Sequence, residues 1–473
     1  MDSRAVFCNR TLNLHSIRAI GYDMDYTLVH YNVREWEGRA YRHLQTKLLD
    51  RGWPVGDLEF DPLAVIRGLI LDTKLGNIVK ANRFGYIVRA FHGTRLVPFE
   101  DQRALYGRTL VDLAEDRWRF LNTLFSLSEG CAYAQLVELF DRGKRPDGDG
   151  PATYAELYAF LQEVLDETHL EGELKREITA DPGRFVAADP EIPLALLDQV
   201  EAGKRLLLIT NSEWPYTRDL MAFAFDPHLP AGMSWEDLFE LIIVGARKPS
   251  FFSARLPLFA IVDEDGHLLP AELGFPGPGR YQGGDAGQVE AYLGLSGNEI
   301  LFVGDHIYAD VKVSKSVLRW RTALILRELE EEIRVVSEFE HDERRLVLLM
   351  REKEKLERSL VGLQLALQRE EMGHAPSRQG PAGANSQGLE TLRREIEAID
   401  QRIGPLARKA STLGNPRWGP MLRAGNDKSH LARQLENSAD IYTSRVANFL
   451  AVTPFAYLRS SRGSLPHDPV IVP

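Results

Sequence analysis

The chain has 473 residues, 44% of them hydrophobic, and a formal net charge of −11, and its length fits about three average domains. The negative charge argues against a binding surface for nucleic acids or anionic membranes, because both partners require clustered Lys and Arg. The only cysteines are Cys8 and Cys131, and no apolar run reaches membrane-spanning length, so we expect a soluble cytoplasmic protein rather than a disulfide-stabilised secreted domain or a membrane protein.

The first apolar run, Ile17–Tyr22, is followed directly by the acidic segment Asp23–Thr27. In an open parallel sheet, the reacting groups gather just beyond the carboxyl ends of the strands. Side chains two residues apart point the same way while the chain is extended, so Asp23 and Asp25 can face one ligand. Two acids in a loop are more often a solvated turn, and the later segments decide between these interpretations.

A long insertion follows, and we expect it to form a cap above this strand end. Its first part, Leu69–His92, alternates β-prone stretches with glycine-containing turns, which predicts a small antiparallel meander. Its later part has helical apolar spacing over Arg117–Phe140 and Tyr154–Ile178, with the turn-rich segment Asp141–Pro151 between them. The pattern therefore predicts a cap that is mostly helical.

Three later apolar runs have strand length and end in polar residues. They lack the alternation of a half-exposed strand, which is typical of a sheet covered on both faces. The runs and the residues that follow them are Leu206–Ile209 with Thr210, Asn211 and Ser212, Leu241–Val244 with Arg247, Lys248 and Pro249, and Ile300–Val303 with Gly304, Asp305, His306 and Asp310. Together with the first strand, they predict a parallel sheet that gathers these polar groups at one edge.

Leucine and isoleucine then recur at mostly heptad spacing in two stretches, which predicts two coiled-coil helices. The positions are Leu349, Leu356, Leu360, Leu363 and Leu367, followed by Leu389, Leu392, Ile396, Ile399, Ile403 and Leu406. The segment Gly373–Gly388 between them is rich in small and polar residues and permits an antiparallel hairpin. Such an arm packs on the core or mediates self-association, and the heptad pattern is compatible with both roles.

The polar residues at the expected sheet edge fit phosphoryl transfer. A phosphate monoester repels an approaching carboxylate unless a cation lies between them, so Asp23 as nucleophile requires a magnesium ion nearby. Asp305 can supply a second carboxylate ligand, since Mg²⁺ prefers oxygen. Asp25 protonates the departing ester oxygen and then takes a proton from water. Lys248 balances the remaining charge.

Other residues of the edge have supporting roles in this scheme. Thr210, Asn211 and exposed amides can donate hydrogen bonds to the phosphoryl oxygens as negative charge spreads over them. We expect His306 to orient its loop rather than to bind the metal, because Mg²⁺ favours oxygen over nitrogen ligands.

These residues resemble, in order, the four motifs of the haloacid dehalogenase superfamily: Asp23–Thr27, Thr210, Lys248 and Gly304–Asp310. More narrowly, Asp-Met-Asp-Tyr-Thr-Leu, Thr-Asn-Ser, Arg-Lys-Pro and Gly-Asp-His-Ile-Tyr resemble the cytosolic purine 5′-nucleotidases, which hydrolyse inosine and guanosine monophosphates. Similar segments elsewhere are Arg67-Gly68-Leu69, Leu75-Gly76-Asn77, Asn122-Thr123-Leu124-Phe125, Trp320-Arg321-Thr322 and Leu422-Arg423-Ala424-Gly425. The resemblance therefore extends over most of the chain.

The resemblance implies an α/β fold: a haloacid-dehalogenase-like Rossmannoid parallel sheet with helices on both faces, an inserted, mostly helical cap and a C-terminal coiled-coil hairpin. The regions that we expect are a first core part with a small β meander at 1–100, a helical substrate-recognition cap at 101–185, a second core part at 186–330, a coiled-coil arm at 331–412 and a segment that packs on the core at 413–473. Relatives also assemble, which predicts a homo-oligomer, either a dimer or a tetramer.

The same resemblance implies roles for individual residues. The metal ligands are Asp23, Asp25 and Asp305, supported by Asp310; the phosphate-binding residues are Thr210, Asn211, Ser212 and Lys248; and the residues around the base and ribose are Asn122, Phe125, Asp166, His169 and Lys175. Asn122 and Phe125 are three residues apart, as are Asp166 and His169, so we expect each pair to share a helix face. On spacing alone, a helical Phe is more often a core residue and an exposed Asp with a His is usually a solvated face, and it is the resemblance that favours substrate binding. Gln162 stands where relatives tend to have Arg.

The implied activity is magnesium-dependent hydrolysis of purine nucleoside 5′-monophosphates through an aspartyl-phosphate, with transfer of the phosphoryl group to a nucleoside as a further outcome. One alternative is a phosphatase of the same superfamily that acts on another small phosphate monoester. Another is a non-catalytic interaction protein that uses the coiled-coil arm. The intact Asp23, Asp25, Lys248 and Asp305 argue against this last alternative, because a site without function has no physical need for closely spaced charges.

Overall fold

The computed structural model describes residues 2–144, 146, 150–271, 274–374 and 386–461. The chain forms two compact units, one made of Asp2–Glu330 with the segment that begins at Met421, and the other of Glu331–Pro420. None of the described helices has the length and apolar character needed to cross a membrane.

The larger unit is organised around a mixed sheet that has ten strands among the described residues. Its parallel neighbours lie in the order Arg321–Ile325, Ile300–Gly304, Ala19–Tyr22, Arg205–Ile209, Leu241–Val244 and Gly279–Gly283. The outer strands are Ile441–Thr443 and Phe7–Cys8 on one side, and Leu258–Ile261 and Leu268–Pro270 on the other. The predicted α/β fold with a parallel sheet is therefore confirmed.

The central strands are buried along their length, as their unbroken apolar sequences predict. In the parallel register, Tyr22 lies opposite Val303 on one side and Leu208 on the other. A Cβ on Gly21 would approach the Phe302 ring to 2.9 Å, so the close packing of these two strands requires glycine. The aligned register brings the residues that follow each strand to the same edge of the sheet.

Helices and short turns connect the strands. The helices are Val33–Asp50, Phe99–Tyr106, Ser126–Asp141, Tyr154–Glu171, Glu173–Ala180, Pro182–Phe185, Glu191–Glu201, Trp214–Phe225, Ala286–Leu293, Leu329–Glu338, Glu340–Glu371, Ser386–Ala410 and His430–Ser438. The 3₁₀ turns are Leu14–Ser16, Asp226–His228, Trp235–Leu238, Ser250–Phe252, Gly297–Glu299 and Val446–Ala451, and the π-helical segments are Ile307–Lys312 and Ser314–Leu318. Small two-stranded sheets pair Leu12–Asn13 with Tyr457–Leu458, and Arg423–Ala424 with Asp427–Lys428.

A second, antiparallel sheet contains the stretch predicted as a meander. Its strands lie in the order Arg95–Leu96, Ile87–His92, Asn77–Ala81, Ile70–Asp72 and Trp118–Phe120. The prediction of a helix that begins at Arg117 is wrong, because Trp118–Phe120 pairs with a strand of this sheet. Arg117 fixes that pairing through two hydrogen bonds of 2.7 Å to the buried carboxylate of Asp72. The helix begins at Ser126 instead.

The later part of the predicted cap also differs from the sequence-based expectation. A single helix was expected over Tyr154–Ile178, but the helix ends at Glu171 and a second one begins at Glu173. Gly172 separates them with a φ of 64°, a left-handed conformation that glycine adopts without steric cost. Asp166 and Lys175 therefore lie on different helices.

In the smaller unit, two long helices pack along each other. The seam consists of buried Leu349, Ile399 and Ile403 and partly buried Leu346, Met350, Leu356 and Leu406. Lys353 pairs with Asp400 at 2.5 Å and Lys409 with Asp342 at 2.7 Å. Because residue numbers rise along one helix as they fall along the other, the helices are antiparallel. Residues 375–385 of the predicted tip lie outside the described residues.

Candidate active site

The segments that follow the parallel strands meet at one side of the central sheet. We call them the catalytic edge; they are Asp23–Thr27, Thr210–Ser212, Arg247–Pro249 and Asp305–Asp310. In the first, the Asp23 amide donates to the Val303 carbonyl at 2.9 Å and so continues the strand pairing. The chain then turns at Tyr26, whose φ is 54°. Asp23 therefore stays aligned with the sheet, while Asp25 lies within the turn that follows.

Three carboxylates and one ammonium group form the centre of the edge. Asp23, Asp305 and Asp310 are buried, and each places a carboxylate oxygen within 4.8 Å of the others. Lys248 Nζ lies 2.6 Å from Asp23 Oδ1 and 2.8 Å from Asp310 Oδ1. Lys248 does not balance three buried carboxylates, and the nearby buried Arg67 is itself paired with Glu328. Excess negative charge therefore remains, which is costly unless another cation compensates it. The oxygen donors and their charge therefore fit a Mg²⁺ ion.

The protonation behaviour of the cluster supports the same conclusion. Burial raises the pKa of Asp23 well above its ordinary value, although Lys248 opposes the shift. Burial also raises the pKa of Asp305 to about 7, against the opposing charge of Arg67. Burial alone lowers the pKa of Lys248, but Asp23 and Asp310 outweigh it, so the pKa lies above its ordinary value. Asp23 and Asp305 thus hold their protons more readily than isolated carboxyl groups do, while the lysine remains charged.

Asn211 joins the second and third segments of the edge. Its Nδ2 donates to the Lys248 carbonyl at 3.1 Å, and its Oδ1 accepts from the Lys248 amide at 2.6 Å. The buried Thr210 accepts at its Oγ1 from the Ser212 amide at 3.0 Å. Of the residues predicted to bind phosphate, Asn211 therefore fixes the backbone that carries the lysine.

Asp25 is held apart from the acidic cluster. Tyr31 donates to its Oδ1 at 2.5 Å, and the Ser212 hydroxyl donates to its Oδ2 at 2.8 Å. The Tyr216 hydroxyl lies 3.0 Å from that of Tyr31. Both oxygens of Asp25 thus have a fixed donor, which orients the carboxyl group. Ser212, predicted to bind phosphate, directs its hydroxyl to Asp25.

In the fourth segment, His306 stabilises the turn that carries Asp310. The His306 amide donates to Asp310 Oδ2 at 3.1 Å, and its Nδ1 accepts from the Ala309 amide at 2.9 Å. Burial lowers the pKa of His306, which keeps the ring neutral and able to accept this bond. His306 thus orients the loop through hydrogen bonds of its own.

Among the predicted base-binding residues, Phe125 and Lys175 lie near the edge. The Phe125 ring centroid lies 4.7 Å from that of Tyr26, edge to face, and 4.7 Å from that of Trp36. Lys175 Nζ lies 4.9 Å from the centroid of the Tyr216 ring. Both residues therefore reach neighbours of the nucleophile loop.

The remaining predicted base-binding residues have weaker ties to the edge. Asn122 is half-buried and precedes Thr123, whose hydroxyl lies 3.5 Å from Asp305 Oδ2. Asn122 and Phe125 were expected to share a helix face, which is wrong because both precede the helix that begins at Ser126. Asp166 is exposed. The side chain of His169 lies outside the described residues.

Several residues at the edge were not predicted from the sequence. Arg67 donates to the Asp305 carbonyl at 3.1 Å from a fully buried side chain. Tyr31 and Tyr216 carry the hydroxyl contacts beside Asp25. The resemblance of Arg67-Gly68-Leu69 to relatives was a signal for the first of these. The sequence contains no such signal for the two tyrosines, because they are 185 residues apart and only the fold brings them together.

Comparison with solved structures gives only distant similarity. An archaeal β-phosphoglucomutase from Pyrococcus matches 66% of this chain and 87% of its own at 12% identity, with a TM-score of 0.31. A predicted phosphoglycolate phosphatase from Haemophilus somnus matches 66% of this chain and 85% of its own at 13% identity, with a TM-score of 0.28. At these scores neither similarity carries an argument about this chain.

Sequence comparison is decisive. A 5′-nucleotidase domain-containing protein of Dictyostelium discoideum is 26% identical over 486 residues, which cover 99% of this chain and 75% of that protein. The model of the 5′ nucleotidase family matches residues 6–470. The resemblance drawn from the motifs is therefore confirmed, and the chain belongs to the 5′-nucleotidase family, as a hydrolase of nucleotide phosphate monoesters.

Proposed function

We propose that this 5′-nucleotidase is magnesium-dependent and hydrolyses purine nucleoside 5′-monophosphates, inosine and guanosine monophosphates, through an aspartyl-phosphate at Asp23. The observation that carries the proposal is the buried cluster of Asp23, Asp305 and Asp310 with Lys248 between two of its members. The excess negative charge of this cluster has a use when a cation binds to it, because the cation then allows a phosphate dianion to approach the nucleophilic carboxylate.

Asp23 and Asp305 would hold the ion through their carboxylates, with Asp310 in support. Asp25 is assigned to the same ion by resemblance; because both of its carboxylate oxygens accept from Tyr31 and Ser212, it would contribute its backbone carbonyl rather than its side chain. When bound, Mg²⁺ masks the repulsion between carboxylate and phosphate and stabilises negative charge on the phosphoryl oxygens. The donor set fits because Mg²⁺ takes oxygen ligands and keeps some of its waters.

In the first step, one oxygen of Asp23 attacks phosphorus. Oδ1 already accepts from the Met24 amide at 2.8 Å and contacts Lys248 at 2.6 Å, so Oδ2 is the oxygen that forms the new bond. The bond from phosphorus to the nucleoside O5′ breaks, and O5′ takes the proton of Asp25. Lys248 and Thr210 donate to the phosphoryl oxygens while the charge spreads over them.

In the second step, Asp25 accepts a proton from a water molecule, whose oxygen attacks phosphorus. The bond to Asp23 breaks, free phosphate leaves, and Asp23 is restored. A nucleoside 5′-hydroxyl that takes the place of water receives the phosphoryl group instead, so we propose that the enzyme also transfers phosphate between nucleosides. Tyr31 and Ser212 keep the Asp25 carboxyl oriented during both proton transfers.

Purine selectivity is assigned to the cap, residues 101–185. Phe125 offers an aromatic surface next to the nucleophile loop, and Lys175 offers a cation near Tyr216. We assign Asn122, Asp166 and His169 to the same base and ribose site by resemblance. Gln162, which stands where relatives tend to have Arg, donates to Glu129 at 2.7 Å.

We also propose a cytoplasmic homo-oligomer, either a dimer or a tetramer. Support comes from the resemblance to relatives that assemble, and the helix Glu340–Glu371 leaves the apolar side chains of Leu348 and Val361 exposed. Light scattering after size-exclusion chromatography gives the mass directly, and a monomer at micromolar concentration would contradict this part of the proposal.

The function is tested with purified protein and a panel of purine and pyrimidine nucleoside monophosphates and sugar phosphates. Released phosphate and transferred nucleotide are quantified with Mg²⁺ or with a chelator, and with or without added inosine. We expect the fastest turnover with inosine and guanosine monophosphates, and none in chelator. Faster turnover of a sugar phosphate would overturn the substrate assignment, and undiminished turnover in chelator would overturn the metal dependence.

A further inference from the structure

The guanidinium of Arg67 is the group most closely tied to the loop that carries Asp305. Its side chain is fully buried. One terminal nitrogen donates to the Asp305 carbonyl at 3.1 Å and lies 3.5 Å from the Ile325 carbonyl. Nε lies 2.9 Å from the carboxylate of Glu328. Arg67 thus connects the start of the insertion to the ends of two neighbouring strands of the central sheet.

The backbone and the carboxylate of Asp305 are held very differently. The backbone carbonyl has the direct bond from Arg67, but the second terminal nitrogen of Arg67 is 4.0 Å from Asp305 Oδ2. The Thr123 hydroxyl lies 3.5 Å from the same oxygen. Lys248 contacts Asp23 and Asp310. The Asp305 carboxylate is therefore fixed in place through its backbone and kept available for a cation.

Arg67 forms its close ion pair with Glu328 rather than with the carboxylate of Asp305. A buried guanidinium without a counter-charge is strongly destabilising. Glu328 supplies the counter-charge through an ion pair with Nε at 2.9 Å, which is shorter than the 4.0 Å between Arg67 and Asp305 Oδ2. Arginine suits the role because its planar group holds several acceptors in fixed directions, which lysine cannot do.

We propose that Arg67, neutralised by Glu328, is a positioning residue that sets the magnesium affinity of the site by fixing the loop of Asp305. The proposal rests on the magnesium dependence proposed above. Partners behind a metal ligand commonly change metal affinity by about 10–100-fold when they are replaced. We therefore expect a loss of at least about tenfold here.

Two variants distinguish an effect of Arg67 on the position of the Asp305 loop from an effect of its charge on the bound ion, because both variants keep the net charge of the region. Arg67→Lys keeps the positive charge and loses the planar group. The double variant Arg67→Met with Glu328→Gln removes both members of the ion pair and leaves no buried charge unpaired. The matched control is Arg205→Lys, since Arg205 makes a comparable two-bond pair with Glu240, at 2.6 and 2.5 Å, at the opposite end of its strand.

The measurement is calorimetric titration of the full chain with magnesium chloride and no nucleotide, with thermal unfolding to verify the fold. We expect both Arg67 variants to bind Mg²⁺ at least about tenfold more weakly, the control to bind like the wild type, and turnover of the variants to recover at high Mg²⁺. Folded variants with wild-type affinity would overturn the role of Arg67 alone. Failure of the wild type to bind Mg²⁺ would overturn the proposed function instead.

Discussion

The catalytic edge and the cap hold their polar side chains in different ways. At the edge, charged groups are buried and joined by short contacts, as Lys248 is to Asp23 at 2.6 Å and to Asp310 at 2.8 Å. In the cap, Phe125 and Lys175 are half-buried and Asp166 is exposed. The contacts that Phe125 and Lys175 make toward the edge are ring contacts. Under the proposed function, the chemistry therefore takes place at the sheet edge, whereas substrate selectivity would depend on half-buried and exposed side chains of the cap.

This difference has an energetic consequence. A buried charge at the edge depends on its partners, so removing a group that leaves another charge unpaired should lower both turnover and stability. Half-buried cap residues have no such dependence, and their replacement should change substrate binding while leaving the fold intact. The variants below test this division, starting with the change that should have the largest effect.

Asp23→Asn should abolish turnover, with a loss of at least about 1000-fold in kcat, because the amide cannot form the acyl-phosphate bond. The substitution removes one charge from a crowded acidic cluster, so the protein should unfold at the same temperature as the wild type or higher. Phosphate release and thermal unfolding measure the two effects. Turnover above about 1% of wild type would move the nucleophile elsewhere.

Lys248→Met should lower kcat by about 100–1000-fold, since a charged donor to the phosphoryl oxygens is lost. It also leaves the carboxylates of Asp23 and Asp310 without their shared cation, and we expect a loss of about 3–5 kcal/mol in the free energy of unfolding. Urea unfolding with and without Mg²⁺ provides the check. Added Mg²⁺ should restore part of the stability and none of the turnover; recovery of both would assign the lysine a purely structural role.

A buried carboxylate next to the cap, that of Glu37, gives a contrasting case, because it forms no ion pair with any residue in the described part of the chain. Burial raises the pKa of Glu37 to about 8, while the Ser128 amide donates to it at 2.8 Å and opposes the shift. The folded state therefore keeps a proton that the unfolded chain releases above its ordinary pKa. Stability is complete below that pKa and is lost as the pH rises toward 8, by about 1.4 kcal/mol per pH unit.

Glu37→Gln removes this dependence because glutamine stays neutral and still accepts from Ser128. The difference in free energy of unfolding between wild type and variant should grow from about pH 5 to pH 8 in favour of glutamine. A constant difference across this range would show that Glu37 is ionised in the folded protein.

The edge was largely predictable from the sequence and the cap was not, for physical reasons. An unbroken apolar run followed by polar residues has one good structural solution, a buried parallel strand with its polar residues at the sheet edge. The runs that end before Asp23, Thr210 and Asp305 follow this rule. Because parallel strands end at the same edge, the sequence was enough to gather these residues there, although it did not give the order of the strands in the sheet.

The prediction of the cap's secondary structure was wrong where tertiary contacts or a single residue outweighed the local sequence pattern. Trp118–Phe120 has helical apolar spacing around it, yet it pairs as a strand because Arg117 and Asp72 form a buried ion pair. Gly172 interrupts an otherwise helical stretch, and spacing alone cannot reveal a left-handed turn. Arg67 and Tyr31 were missed because their partners are distant in sequence or carry no periodic signal.

Tyr31→Phe extends the comparison to a residue that joins the edge to its surroundings. It removes the hydroxyl that donates to Asp25 at 2.5 Å, and we expect kcat to fall by about tenfold. Tyr216→Phe is the control, because it leaves that bond in place and removes only the neighbouring hydroxyl. Equal losses in the two variants would mean that the pair of tyrosines, rather than the bond to Asp25, supports turnover.

Phe125→Ala tests the division between edge and cap at the point where they touch. If the ring stacks on the purine, KM for inosine monophosphate should rise by about tenfold with little change in kcat. Ribose 5-phosphate, which lacks the base, should be turned over as slowly by the variant as by the wild type, and Phe125→Tyr should restore KM. The ring also packs on Tyr26 in the nucleophile loop. A fall in kcat for both substrates would therefore show that Phe125 belongs to the catalytic edge, and that the cap shapes the chemistry as well as the choice of base.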